Sequence, residues 1–377
     1  MQESHNTLQL DSFILANFKN YAHQRIECSP GLTCFIGRNG MGKTNLLDAI
    51  YYLCMGKSYF NMPDSLAVNH GAGFFRLEGH FVKEGKTERI VAKVIPRKKK
   101  ELERNGTPYR RLSEHVGLLP VVMIAPDDTN LINEGSETRR RFLDNTLSQF
   151  DNHYLQQLIT YGKVLQQRNA LLKQFGENGG YNSALVEAYD RQMAGPAQAI
   201  YSRRKEFMAP FRQLLRQLYR DISGEAEEVD CQYVSKMEQA PIGVLLREAA
   251  EKDRVLQRTT AGPHKDDLEF TIGGYPLKRF ASQGQLKSFV LALKLAQYRQ
   301  LMEKKSVPPI LLLDDIFDKL DHDRANHLLS LLMQGDFGQV FVTDTDEERL
   351  EAIIGKFNRQ YLKYRIENGT AHKINGA

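Results

Sequence analysis

Thr33–Leu53 reads TCFIGRNGMGKTNLLDAIYYL, and its pattern decides the fold class. Gly37, Gly42, Lys43 and Thr44 stand in the G-x-x-x-x-G-K-T spacing of a phosphate-binding loop. Leu32 to Ile36 are β-prone and end at Gly37, while Leu46, Leu47, Ile50 and Tyr51 recur on one face of a predicted helix. A glycine-rich loop between a strand and a helix start suits a polyphosphate. The glycines allow close approach, and the helix N-terminus offers backbone N–H groups and the positive end of its dipole. The predicted nucleotide contacts are Gly37, Arg38, Asn39, Gly40, Met41, Gly42, Lys43, Thr44 and Asn45. Lys43 is expected to reach the β- and γ-phosphates of ATP, and the Thr44 hydroxyl to ligate Mg²⁺.

Two later segments extend this reading. PPILLLDDIFDKLD places Asp314 and Asp315 at the end of Ile310–Leu313, a short apolar run typical of a buried parallel strand. Adjacent carboxylates repel without a cation, so Asp314 is expected to hold the Mg²⁺ shell. Asp315 is expected to orient or deprotonate the attacking water. Between the two ends, FASQGQLKSFVLALKLA carries Ser282, Gly284 and Gln285.

A length of 377 residues suggests two or three domains. No apolar run approaches the length of a membrane span, and the start MQESHNTLQL lacks the regions of a signal peptide. Cys28, Cys34, Cys54 and Cys231 show neither metal nor disulfide spacing. They fit a cytoplasmic protein with no membrane partner. The net charge of +5 permits nucleic acid without requiring it. The charge is uneven: Arg97 to Lys100 form one run, Arg139 to Arg141 another, and Arg203, Arg204, Lys205, Arg212, Arg216 and Arg220 stud a helical stretch. Such runs read as solvated faces or as nucleic-acid contacts. Arg139 to Arg141 precede Phe142-Leu143-Asp144 and read alternatively as members of internal ion pairs.

The early chain is strand-rich, and Arg104-Asn105-Gly106 is a hairpin signal. After Phe142 the pattern turns helical, with Leu155, Leu158, Leu165 and Leu172 near a heptad seam that also takes in Gly162 and Asn169. FGENGGYNS, at Phe175 to Ser183, reads as a helix stop. Helix resumes at Ala184, with breaks expected at Gly195-Pro196 and Pro210. Strand character returns at Leu268 to Ile272. The expected organisation is an α/β ATPase head built from both ends of the chain, residues 1–141 and 258–377, with a helical-hairpin arm inserted at 142–257.

The three segments, in this order, resemble the RecF family of the ABC and SMC ATPase superfamily. LANFKNY (Leu15–Tyr21), GKSYF (Gly56–Phe60), IAPDDTNLINEGSETRRRFLD (Ile124–Asp144), TAGPHKDDLEF (Thr260–Phe270), FASQGQLK (Phe280–Lys287), LLLDDIFDKLD (Leu311–Asp321) and QVFVTDTD (Gln339–Asp346) carry the likeness. The resemblance implies an ATP-dependent homodimer. One subunit would supply Lys43, Thr44, Asp314 and Asp315, and the other Ser282, Gly284 and Gln285 to cap the γ-phosphate. It also implies slow, DNA-stimulated ATP hydrolysis and binding to single- and double-stranded DNA at gaps. Recombinase loading with RecO and RecR would follow, in SOS-linked repair at the nucleoid. The sequence departs from transporter heads in having Asp315 where they carry glutamate, Pro126-Asp127-Asp128 where they carry the Q-loop glutamine, and no histidine after Val340–Thr343. Thr343 or Asp344 is expected on the γ-phosphate side. His264 reads as a catalytic residue or, in preference, as a structural contact that ties arm to head. A transporter nucleotide-binding subunit and an SMC-like chromosome-organising ATPase are the alternatives; the first conflicts with the missing glutamine and the second with the short arm.

Overall fold

The computed structural model describes residues 7–224, 227–319, 325, 328, 330, 337–356 and 360–374. Leu320 and Asp321, the end of the acidic motif, lie outside them. The strands, in chain order, are β1 (Leu8–Phe18), β2 (Tyr21–Glu27), β3 (Leu32–Ile36), β4 (Phe75–Lys83), β5 (Lys86–Val94), β6 (Glu101–Arg104), β7 (Thr107–Pro108) and β8 (Val121–Ile124). They continue with β9 (Val229–Val234), β10 (Asp267–Ile272), β11 (Tyr275–Pro276), β12 (Ile310–Leu313), β13 (Val340–Asp344), β14 (Tyr361–Glu367) and β15 (Thr370–Ile374). The chain forms two compact units. One comprises Met1–Asp128, Asp221–Gly224 and Lys287–Ala377; the other comprises Thr129–Arg220 and Glu225–Leu286. This division differs from the one composition suggested: Thr129–Arg141 and Arg258–Leu286 group with the helical segment.

The first unit has two six-stranded sheets. One is antiparallel, in the order β2-β1-β4-β5-β6-β7; the other runs β15-β14-β3-β13-β12-β8. In the second sheet β14, β3, β13, β12 and β8 are parallel, and only β15 runs against its neighbour. Its central strands are buried along their length because both faces are covered. The helix Lys43–Met55 shares one core with both sheets and is buried at every position from Leu46 to Met55. The sequence suggested a one-faced helix; enclosure between two sheets buries the other face as well. The Arg104-Asn105-Gly106 turn joins β6 to β7, with Asn105 and Gly106 at φ 52° and 79°. Lys98 and Lys99 at its base are exposed, whereas Lys100 pairs with Asp64 at 2.7 Å.

The second unit is helical, with a small sheet β11-β10-β9. Helices Ser136–Phe150, Asn152–Asn178 and Ser183–Ser223 dominate it, and Gly179 at φ 70° caps the second. The buried seam of Asn152–Asn178 is Tyr154, Tyr161, Val164, Arg168 and Leu172. Leu155, Leu158 and Leu165 are only half-buried and Gly162 is exposed, so the expected seam is displaced by about one residue. Tyr154 and Tyr161, with partnered hydroxyls, take the inner line in the first half of the helix, and Leu172 is buried as expected. Nor is Ser183–Ser223 broken: it runs as one helix through Pro196 and Pro210. Each internal proline costs roughly 3 kcal/mol. Burial of Met193, Ala197, Ile200, Phe207, Met208, Phe211 and Leu215 along one face offsets this.

Most of the basic studs of this helix are ion-paired, while Arg220 is exposed. Arg203 pairs with Asp151, Arg204 with Asp144 and Asp266, Lys205 with Glu238, and Arg212 and Arg216 with Asp230. Arg139 makes a two-pronged contact with Asp267. Arg140 donates to the Asp266 carbonyl and Arg141 pairs with exposed Glu137, so the internal ion-pair reading of that run holds for Arg139. His264 contacts Tyr161, as expected of a link from the helical segment to the residues after 258, and the Thr259 carbonyl; all three residues lie in this unit. Burial lowers its pKa to about 4, so the ring is neutral. A carbonyl only accepts, so Nε2 carries the proton and Nδ1 accepts from the tyrosine hydroxyl.

Candidate functional site

In the parallel sheet β3, β13 and β12 are neighbours, and their C-terminal ends carry the phosphate loop, Thr343 and Asp314 side by side. Open α/β sheets bind ligands at that edge. Gly40 and Gly42 have φ of 80° and 111°, a region that only glycine enters freely. A Cβ at Gly37 would stand 2.4 Å from the Ile366 carbonyl oxygen, so the β14–β15 hairpin packs directly on the loop. Arg38, Asn39 and Gly40 are exposed, Met41, Thr44 and Asn45 half-buried, and Gly42 and Lys43 buried.

Lys43 donates to the Gly37 carbonyl at 2.8 Å, and its ammonium lies 3.8 Å from Asp315. The Thr44 hydroxyl donates to Asp314 at 2.9 Å, bringing together residues 270 positions apart. Thr343 donates to Asp314 at 2.8 Å and accepts the Asp315 N–H at 2.8 Å. One hydroxyl therefore holds both acidic residues. Asp344 is committed to Arg349 at 2.6 Å, so only Thr343 of the two expected switch residues joins the group. Burial raises the Asp314 carboxyl to about 6, against the opposing hydrogen bonds from Thr343 and Thr44. Asp315 adopts φ 46°, a strained conformation for a residue with a Cβ, as is frequent at functional sites.

Thr44 and Asp314 offer converging hard oxygen atoms, the donor type that Mg²⁺ selects alongside phosphate and water. Among the described residues no cluster of three or more His, Cys, Asp or Glu side chains is placed to hold a metal alone. Asp128, in the place of the Q-loop, is turned inward. It accepts the Ala125 N–H at 2.7 Å and the Tyr59 hydroxyl, and Lys294 lies 3.6 Å away. Asp127 is exposed.

Sequence reasoning missed the brace beneath the loop, although its residues lie in the LANFKNY motif. Lys19 pairs with buried Asp48 at 2.7 Å. Asn20 donates to the Met41 carbonyl at 2.9 Å and accepts from Asn45 at 2.8 Å. Tyr21 donates to the Gly42 carbonyl at 3.1 Å, and the Gly369 N–H takes the Met41 carbonyl at 3.2 Å. Carbonyls that would repel a phosphate are thus already engaged. The available signal was three consecutive polar residues, Lys19-Asn20-Tyr21, at the turn between two strands.

Ser282, Gly284 and Gln285 belong to the second unit. Ser282 caps the helix Gln283–Lys305 by accepting the Gln285 N–H at 3.2 Å, while the Gln285 side chain accepts the Ser282 N–H at 2.6 Å. This reciprocal pair is a capping box. It fixes an exposed serine at the positive end of a 23-residue helix. Gln285 is itself held by Glu227 at 2.6 Å.

A phosphate loop and acidic pair at the edge of a parallel sheet, with a serine-capped helix, define an ABC/SMC-type ATPase. The RecF/RecN/SMC N terminal domain family matches residues 9–370. The chain belongs to the RecF family. It is 44% identical to DNA replication and repair protein RecF of Flavobacterium johnsoniae, over 95% of this chain and 100% of the relative. The corresponding protein of Parabacteroides distasonis is 43% identical, over 96% and 98%. The solved structure of the recombination mediator RecF bound to ATP matches with a TM-score of 0.90 at 27% identity, over 100% of both chains. A Pyrococcus furiosus Smc head matches with a TM-score of 0.56 at 16% identity, over 97% of this chain and 96% of that one, and shows the fold alone. No helix among the described residues is long and apolar enough to cross a membrane.

Proposed function

We propose that the chain is a slow, DNA-stimulated ATPase whose nucleotide state gates a clamp on DNA during replication-linked repair and recombination. The convergence of Lys43, Thr44, Asp314, Asp315 and Thr343 at one sheet edge carries this reading. The loop N–H groups and Lys43 bind the polyphosphate, and Lys43 exchanges its present bonds to carbonyls for the β- and γ-phosphates. Thr44 and Asp314 hold Mg²⁺, which neutralises phosphate charge when bound. Asp315, tethered through its N–H to Thr343, orients the attacking water and accepts its proton.

The capped Ser282, with Gly284 and Gln285, faces the γ-phosphate held by a second copy, so that ATP joins two subunits. Exposure of the serine at a helix N-terminus supports this role. The paired subunits grip single- and double-stranded DNA at gaps mainly through phosphates. By analogy with the RecFOR pathway of the matched structures, RecO and RecR are the partners in loading recombinase, and the setting is the cytoplasm at the nucleoid.

Binding to gapped DNA, measured over a salt series with and without ATP, tests the clamp. Each duplex phosphate neutralised contributes a log–log slope of about −0.9. ATP should steepen the slope through dimerisation. Lys43→Ala, lacking the phosphate-facing charge, should give the shallow slope in both conditions and stay monomeric by light scattering. Equal slopes for the parent protein with and without ATP refute the ATP-gated clamp.

A further inference from the structure

The hairpin of β10 and β11 turns at Gly273-Gly274 and leads through Tyr275-Pro276-Leu277-Lys278-Arg279-Phe280 towards Ser282. Tyr275 and Phe280 are each 60% exposed, with ring centroids 5.0 Å apart and planes tilted by 38°. Leu277 between them is fully buried and anchors the segment. The two rings pack on each other and leave their outer faces to solvent. Lys278 and Arg279 are exposed beside them. The Lys278 ammonium donates to the Asn133 carbonyl, which positions the side chain without cancelling its charge.

We propose that Tyr275 and Phe280 form a stacking platform for unpaired bases of single-stranded DNA, with Lys278 and Arg279 on the adjoining phosphates. The inference rests on the DNA-binding reading and names the strand feature that this unit recognises. Exposed aromatic rings interleaved with cations match a strand, whose bases present π-faces at every position and whose phosphates run alongside. A single nucleotide offers one ring; this platform presents two outer faces and two cations. Stacking is indifferent to base identity, so the platform recognises unpaired bases and not a sequence. Duplex DNA keeps its bases stacked internally and gains nothing from the rings. The platform therefore biases the protein towards the single-stranded part of a gap.

The test uses the full chain and four proteins: the parent, Tyr275→Ala, Phe280→Ala and Phe280→Trp. The probes are a single-stranded oligonucleotide carrying 2-aminopurine and a blunt duplex of equal length. Anisotropy gives affinity, and 2-aminopurine quenching reports stacking. Each alanine variant should lose about 5- to 150-fold in single-strand affinity. Duplex affinity should be retained, and tryptophan should keep both affinity and quenching. Thermal melting checks folding, which two exposed rings should not perturb. Parental single-strand affinity in both alanine variants, with a parent that binds DNA, overturns the platform and leaves the DNA-binding reading standing. Equal losses on both probes overturn it as well. So does loss of ATP-driven dimerisation with DNA binding intact, which assigns the rings to nucleotide or to the second copy. A parent that binds neither probe sinks both readings.

Discussion

Replacing Arg204 with methionine should destabilise the helical unit by about 3–5 kcal/mol, the cost of breaking a buried ion pair from one side. Arg204 is 2% exposed and sits in the apolar stripe of Ser183–Ser223, between Ile200 and Phe207. Its guanidinium donates to Asp144 at 2.8 Å, Asp266 at 3.1 Å, the Pro263 carbonyl at 2.9 Å and the Tyr154 hydroxyl at 3.0 Å. Burial opposes its charge, but Asp144 and the groups around it hold its pKa well above the ordinary arginine range. Methionine fills much of the volume and supplies no charge, so Asp266, 3% exposed, loses its cation. The folding equilibrium should fall by roughly two to four orders of magnitude. Burial already raises the Asp266 pKa, and loss of Arg204 raises it further. The folded variant then binds a proton that the unfolded chain releases near pH 4. The deficit against the parent should be full above the raised pKa and shrink as pH falls through it. His264 titrates the other way but is common to both proteins and cancels in the difference. Urea unfolding followed by helical circular dichroism, at pH 5.5 and 7.5, measures this. Adding Asp266→Asn to Arg204→Met should recover part of the loss. A deficit below about 1 kcal/mol at pH 7.5, or one that grows on acidification, refutes the reasoning.

Gly37→Ala should weaken ATP binding by about ten-fold or more, because its Cβ meets a backbone carbonyl that can move only with the β14–β15 hairpin; parental affinity by calorimetry would show that the hairpin yields freely. Asp315→Asn should keep ATP binding, slow hydrolysis by roughly 10²- to 10⁴-fold and prolong the dimer. Phosphate release at the parental rate removes Asp315 from the water-orienting role. On the proposed composite site, Ser282→Arg should block ATP-driven dimerisation, because a bulky cation would fill the space of the opposing phosphate. Mixing it with Asp315→Asn protein tests for a composite site, and full ATPase activity of Ser282→Arg alone refutes one.

The phosphate loop was legible because its chemistry is local. Glycine spacing, a lysine, a threonine and the strand-to-helix switch all lie within about a dozen residues, and the backbone alone dictates their arrangement. The acidic pair was equally plain at the end of an apolar run. Ser282 and Gln285 write a capping box within four positions. What the sequence could not decide was adjacency. That β3, β13 and β12 are neighbours depends on strand order, and only this order sets Thr343 between the two acidic residues and Thr44 against Asp314. The brace from Asn20, Tyr21 and Gly369 joins two distant segments to one loop. The arginines teach the same distinction. Arg168 recurs at the heptad interval after Tyr154 and Tyr161, and Arg204 stands four residues after Ile200. Both therefore occupy core positions by spacing, yet composition reads them as surface charge. Burial of a charge is possible only where partners from elsewhere in the chain meet it: Asp190 and Asp253 for Arg168, and Asp144 and Asp266 for Arg204. Local sequence determined the nucleotide chemistry; the tertiary fold decided which charges became structure and which stayed available for function.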